Sequence, residues 1–174
     1  ILLGFFLLLH GGVNLVYGQY ESPRKEKSLN TFWLFSKDKN QNAYKIDYPV
    51  SPVWDTVNIP HTWNALDVLD DEEGYYRDTC WYRKRFTVPE SWHNLSLFLH
   101  FEAANQDAII YLNGEKLGEH HGGYSAFRFP ITRKVRENEE NVLAVRLSNA
   151  HNPNVAPIGG DVSTYGGIYR NVWL

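Results

Sequence analysis

The chain of 174 residues is 43% hydrophobic and 15% aromatic, with a formal net charge of −3 and a pI near 6.2. That length suits one well-cored domain and is too short for two ordinary ones. The charge supplies no basic stripe interleaved with aromatic residues, so a nucleic-acid partner is excluded.

Taken in chain order, Ile1 to Leu9 form an apolar run too short to span a bilayer and read as the core of a secretory signal. Val16 and Gly18 fit the small-residue pattern of a cleavage site, which makes residues 1–18 a signal peptide that begins part-way through and Gln19 the mature N-terminus. Export to the periplasm or the extracellular space follows. Residues 19–28 are polar and charged and read as a flexible leader. From residue 29 to residue 174 the pattern is short strands and turns with no long amphipathic helix. Cys80, Tyr82, Phe86 and Val88 share one side of a period-2 pattern, with Lys84 the exception, while Trp81, Arg83, Arg85 and Thr87 take the other side. Leu95, Leu97, Leu99 and Phe101 make a second apolar face, and Leu143, Val145 and Leu147 a third. Between them, Asn113-Gly114 flanked by Ile109-Ile110-Tyr111-Leu112 and Glu115-Lys116-Leu117 predicts a β-hairpin, because a type I′ turn needs positive φ at both central positions. Many short strands without helices predict an all-β two-sheet sandwich. The single Cys80 leaves no intramolecular disulfide, so the core alone must stabilise the domain.

The closing segment Gly166-Gly167-Ile168-Tyr169-Arg170-Asn171-Val172-Trp173-Leu174 resembles the strand that ends the N-terminal domain of family 2 glycoside hydrolases. The same resemblance runs, in order, through Leu29 to Ser36, Val57-Asn58-Ile59-Pro60-His61-Thr62-Trp63, Trp81 to Phe86 and Leu99 to Ala103. It continues through Tyr111-Leu112-Asn113-Gly114 to Gly118, Gly122 to Phe127 and Asn141 to Val145. It is strongest toward secreted bacterial β-galactosidases. It implies a jelly-roll β-sandwich, similar to galactose-binding domains, followed by an immunoglobulin-like domain and a catalytic barrel. A retaining glycosidase needs two carboxyls about 5–5.5 Å apart, and the resemblance puts both in that barrel, so no catalytic residue is expected here. Pro60, His61, Trp63, Asn113, Gly114, Gly166, Gly167, Tyr169 and Arg170 carry the resemblance as structural positions.

Two residues are candidates for the substrate cleft. Asp161 precedes Gly167 by six residues, the spacing at which the resembled β-galactosidases place an Asp that reaches the sugar pocket. Its carboxylate can accept hydrogen bonds from sugar hydroxyls or help hold a cation, although Asp is also common in Gly-rich turns for local reasons. The resemblance leaves room for a sodium or magnesium ion in the full-length enzyme and implies no other cofactor. Arg77 falls near a position that is Asn in some β-galactosidases, and a surface Arg is the competing reading. His120-His121 is not read as a metal site, since neighbours on a strand face opposite ways and no third ligand stands at the right spacing. Asn138-Glu139 and Asp70-Asp71-Glu72-Glu73 read as solvated turns.

These expectations make the chain the N-terminal part of an exported retaining β-glycosidase, a β-galactosidase first, with a glycan or β-glycoside as substrate. Its other partners would be the downstream domains of the same chain and a second copy in a homo-oligomer. The alternatives are a β-glucuronidase or β-mannosidase of the same family, a stand-alone carbohydrate-binding module, and an adhesion sandwich.

Overall fold

The computed structural model describes residues 24–37, 39–50, 54–67, 69, 71, 74–156 and 165–174. Its strands are β1 (Trp33–Ser36), β2 (Asp55–Val57), β3 (Thr79–Phe86), β4 (Phe98–Phe101), β5 (Asp107–Leu112), β6 (Glu115–His121), β7 (Phe127–Pro130), β8 (Asn141–Ser148) and β9 (Val172–Trp173), with one 3₁₀ turn at Glu90–Trp92. All pairings are antiparallel and form a six-stranded sheet in the order β2-β1-β3-β8-β5-β6 and a three-stranded sheet in the order β7-β4-β9. The all-β jelly-roll sandwich read from the sequence is the fold observed.

Alternation explains the main core. Tyr82, Phe86 and Val88 from the β3 run, Leu99 and Phe101 from β4, Ile110 and Leu112 from β5, and Leu143, Val145 and Leu147 from β8 meet between the sheets. At β5–β6, Asn113 and Gly114 take φ of 53° and 84°, the left-handed pair that a two-residue hairpin requires. Buried Asn141 closes that end: its amide donates to the carbonyls of Arg136 (3.0 Å) and Glu139 (3.2 Å), and its carbonyl accepts from Arg136 N–H and from the Asn113 amide, each at 2.8 Å. The polar run Arg136 to Glu140 is therefore a self-satisfied turn, as its composition suggests.

Two details differ from the sequence reading, and one adds to it. Leu95 is 38% exposed while Leu97, Leu99 and Phe101 are buried. Its N–H bonds to Trp92 O at the end of the 3₁₀ turn, so it precedes β4 and lies outside the strand's alternation. The leader gives way to the sandwich at Lys27, not at residue 29: Lys27 and Leu174 exchange backbone hydrogen bonds of 2.7 and 2.9 Å, and Ser28 bridges Trp173. The addition is that the second side of β3 is covered in part. Trp81 packs with Ala43, Trp54 and Ala144 in a smaller cluster on the outer face of the large sheet, flanked by Leu34, Tyr44, Tyr48 and Tyr111. Arg83, 2% exposed, fixes the covering segment by donating to the carbonyls of Ala43, Lys45 and Ile46. A guanidinium in that place is held by backbone dipoles, not by a carboxylate.

Candidate functional site

Strand register brings the chain's longest crossings to one end of the sandwich. Thr79, Ser148, Asp107 and His121 stand side by side at the edge of the large sheet, and Phe101, Phe127 and Val172 at the edge of the small one. The segments 102–106 and 122–126, with the described residues 149–156 and 165–171, lie at that end. The stretch from His61 to Asn64 joins them by backbone pairing, with His61 N–H on Ile168 O at 2.9 Å and Trp63 N–H on Gly166 O at 3.1 Å. Asn105 and Gly167 complete the seam with reciprocal bonds of 2.9 and 3.3 Å.

The paired glycines are dictated by this crowding. Gly167 has φ of +144°, and a Cβ there would lie 2.1 Å from His61 O; a Cβ on Gly166 would lie 2.1 Å from the Trp63 ring. Only glycine lets three backbone segments approach so closely. His61, which follows the cis Ile59–Pro60 bond, anchors the seam to the core. Tyr82 hydroxyl accepts the Ile168 N–H and so directs its own proton to His61 Nδ1, 2.7 Å away. Burial pushes the His61 imidazole below its usual range, which keeps it neutral and able to accept that bond.

Three asparagines that the sequence reading passed over hold the loops together. Asn64, fully buried, accepts Gly166 N–H at 2.9 Å. Asn149 accepts Asp78 N–H and donates to Tyr76 O, both at 3.0 Å, so its amide stands in for a backbone partner across the 76–78 segment. Asn105 donates to Tyr165 O. A buried Asn in a loop is costly unless both halves of its amide are used. The available signal was position: Asn149 directly follows β8, and Asn105 precedes β5.

The seam borders a notch of about 120 Å³ lined by Thr62, Asn105, Tyr124, Tyr165 and Tyr169. Tyr124 and Tyr165 are 60% and 40% exposed, whereas the Tyr169 hydroxyl is tied to Gly123 O. Tyr75 meets Tyr165 edge-on at 6.2 Å. A larger groove of about 640 Å³ spreads over the outer face of the small sheet, with Phe98, His100, Arg128 and Trp173 among its lining. We place the candidate site at the notch, because there separate loops are held in fixed register while Tyr124 and Tyr165 stay exposed; the groove lies on the outer side of the small sheet, beside the leader residues Arg24 to Glu26.

Of the residues singled out by sequence, Pro60, His61, Trp63, Gly166, Gly167 and Tyr169 converge on this end, while Asn113 and Gly114 form the hairpin turn described above. Arg170 is exposed, its guanidinium 5.8 Å from the Tyr169 ring centroid. Arg77 is exposed between two backbone positions held by Asn149 and does not line the notch. Asp161 lies outside the described residues. His120 and His121 take separate partners: His120 stacks on Phe127 at 4.1 Å, and His121 Nδ1 is 2.7 Å from Asp107 Oδ1. Among the described residues no group of three or more His, Cys, Asp or Glu is placed to hold a metal ion. Cys80 is buried in the core, its thiol pushed up to about 12, which leaves it protonated and inert.

Comparison with known proteins identifies the family to which this fold belongs. The family model described as "Glycosyl hydrolases family 2, sugar binding domain" matches residues 26–174. A beta-galactosidase from Thermoanaerobacter pseudethanolicus is 37% identical over 150 residues, covering 84% of this chain and 20% of that protein. A putative beta-glucuronidase from Formosa agariphila is 35% identical over 155 residues, covering 88% of this chain and 18% of the relative. Among solved structures, Bacteroides uniformis beta-glucuronidase superposes with a TM-score of 0.80 at 40% identity, over 86% of this chain and 17% of that one. The chain thus spans about a fifth of the length of these curated relatives.

Proposed function

The chain belongs to glycoside hydrolase family 2, as its sugar-binding domain, and on that premise we propose that it serves an exported retaining β-glycosidase by forming one wall of the substrate cleft. The observation that carries this reading is the end of the sandwich where Gly166–Gly167, Asn64, Asn105 and Asn149 lock loop segments together and leave Tyr124 and Tyr165 exposed. A wall built this way positions a substrate without itself breaking the bond, since preorganised contacts act by orientation. The acid/base and nucleophile carboxyls that a retaining mechanism needs are assigned to a barrel further along the full-length protein. Asp161 stays in the proposal on its spacing from Gly167 alone, as a hydroxyl-binding or cation-holding carboxylate; export rests on the leader-like residues 1–18.

A β-galactoside is the first substrate proposed, from the resemblance carried by the motifs. A β-glucuronide is the second, favoured by the similarity to the Bacteroides uniformis and Formosa agariphila glucuronidases. The test is to express the full-length protein and residues 19–174 side by side on nitrophenyl β-galactoside and β-glucuronide. Hydrolysis of one glycoside by the full-length protein alone is expected. Activity in residues 19–174, after control for host enzymes, or none with either glycoside in the full-length protein, would overturn the reading.

A further inference from the structure

The groove of about 640 Å³ beside the small sheet has the outline of a single strand. Arg24 to Glu26 form one bank and Leu95 to Phe98 the other, with Leu174 also among its lining. Its floor belongs to the core, since Trp92, Leu97 and Leu174 are all buried. Both banks continue segments that already hold β9. On one side His100 pairs with Trp173 and Phe101 with Val172. On the other, Ser28 bridges Trp173, and Lys27 and Leu174 exchange backbone bonds of 2.7 and 2.9 Å. β9 is therefore held along both edges and runs into the groove lengthwise.

Register fixes what a longer β9 would meet. Counting on from these pairs, the first residue after Leu174 falls opposite Phe98 on one side and Glu26 on the other, and the second opposite Leu97 and Lys25. Backbone directions agree, because successive residues of an antiparallel strand bond to alternate sides. Glu102 N–H donates to Asn171 O at 3.0 Å, and Leu97 O accepts Ile131 N–H at 2.9 Å. Positions 98, 100 and 102 thus face β9, while 97, 99 and 101 face β7, so Phe98 turns its backbone N–H and C=O toward the groove. Leu174 spends its own pair on Lys27, which by the same alternation leaves the next residue to Phe98 and the one after to Lys25. Side-chain faces agree too. Val172 and Leu174 are buried, whereas Trp173 lies on the outer face with its indole N–H on Glu102 Oε1 at 2.9 Å. A continuing strand would set its first side chain outward beside Phe98 and its second inward over Leu97. An extended peptide meets two facing rows of backbone groups by its own repeat. One already joined to Leu174 also arrives at high effective concentration, which a free glycan or a second molecule does not.

We infer that in the full-length protein the polypeptide following Leu174 continues β9 into this groove, between Phe98 and the Arg24–Glu26 segment. The leader then becomes an edge strand, and the join to the rest of the protein is a strand held on both sides. Such a join fixes the orientation of the seam end, where a loose tether would let this domain move independently. The inference rests on the reading above that this chain is one domain of a longer glycosidase. It is tested in the full-length protein with two cysteine pairs, Glu26→Cys combined with cysteine at the first or at the second residue after Leu174. The first pair would be a non-hydrogen-bonded pair with Cα atoms about 4.5 Å apart, within disulfide range, while the second would point to opposite faces of the sheet. Under mild oxidation the first pair should close at least about tenfold faster than the second, read by peptide mass without reduction. Equal closure of both pairs would mean a flexible tether and overturn the inference. So would a disulfide-linked dimer, or no closure in a protein that melts like its parent, the result if another segment or molecule fills the groove. Should the cysteine variants fail to fold, hydrogen exchange of the unaltered full-length protein decides. Protection of roughly a hundredfold or more at the Phe98 and Lys25 amides supports the inference, and smaller protection contradicts it. Neither readout uses a substrate, so a protein that closes the first pair yet cleaves no glycoside upholds this inference and fails the functional reading, and the converse result does the opposite.

Discussion

The two ends of the sandwich solve the same problem with the same residue types and reach opposite results. At the hairpin end, Asn113 and Asn141 spend their side-chain hydrogen bonds on each other, on Val142 and on the 134–139 turn, across 29 residues at most. At the seam end, Asn64, Asn105 and Asn149 spend theirs on segments distant in sequence, across separations of 102, 60 and about 70 residues, and the result is a fixed frame with open tyrosines. Bonding between adjacent hairpins closes a turn; bonding of the same amide group between segments 60 or more residues apart builds a surface on which loops can carry ligand contacts.

The sharpest way to break that comparison is alanine at one glycine from each end. Gly167→Ala puts a Cβ 2.1 Å from His61 O at φ of +144°, whereas Gly114→Ala meets its nearest neighbour, Ile46, at 3.8 Å and suffers only its φ of +84°. Urea denaturation should show a loss of about 4 kcal/mol or more for the first, including failure to fold, and about 1 kcal/mol for the second. Similar losses at both would mean that the seam relaxes as easily as the hairpin. Next in size, Leu99→Ala empties a fully buried site and should cost about 3 kcal/mol, against less than about half a kcal/mol for the exposed Leu95→Ala. A large Leu95 effect would restore the uninterrupted apolar face.

Removing one amide at each end separates stability from function. Asn141→Ala and Asn149→Ala should each cost about 1–3 kcal/mol by leaving buried backbone groups unpaired, yet only Asn149→Ala should raise KM for a glycoside in the full-length protein. A KM change from Asn141→Ala of equal size would erase the distinction between the ends. The smallest effect is a pH dependence. His61 is held below its ordinary value of 6.5 in the folded chain by burial, so below about that pH the unfolded chain binds the extra proton first and stability falls with acidification, while above it the contribution is fully present. His61→Gln should remove that part of the slope between the depressed value and 6.5; an unchanged slope would show that His61 titrates freely.

The strands were legible because burial on one face imposes alternation, and β4, β5 and β8 follow it. Asn113-Gly114 was legible because few other pairs accept two positive φ angles. Leu95 misled because a 3₁₀ turn continued the apparent alternation by one residue too many, and the cover over Trp81 was hidden because residues 40–50 have no periodicity to betray a return to the sheet. For the site, Gly166 and Gly167 were visible as a pair, but Asn64, Asn105 and Asn149 were not. Their role is a matter of partners 60 or more residues away, and a loop asparagine without its partner looks like any other turn residue.

The central claim is that the seam end faces the ligand. Hydrogen exchange of the full-length protein with and without a bound, slowly cleaved glycoside of its preferred sugar tests it most directly. The account predicts new protection in 122–126 and 165–169 with none at 113–114 and 136–141. Protection at the hairpin end, or along Phe98 to His100 on the outer face of the small sheet while the seam stays unchanged, would contradict it.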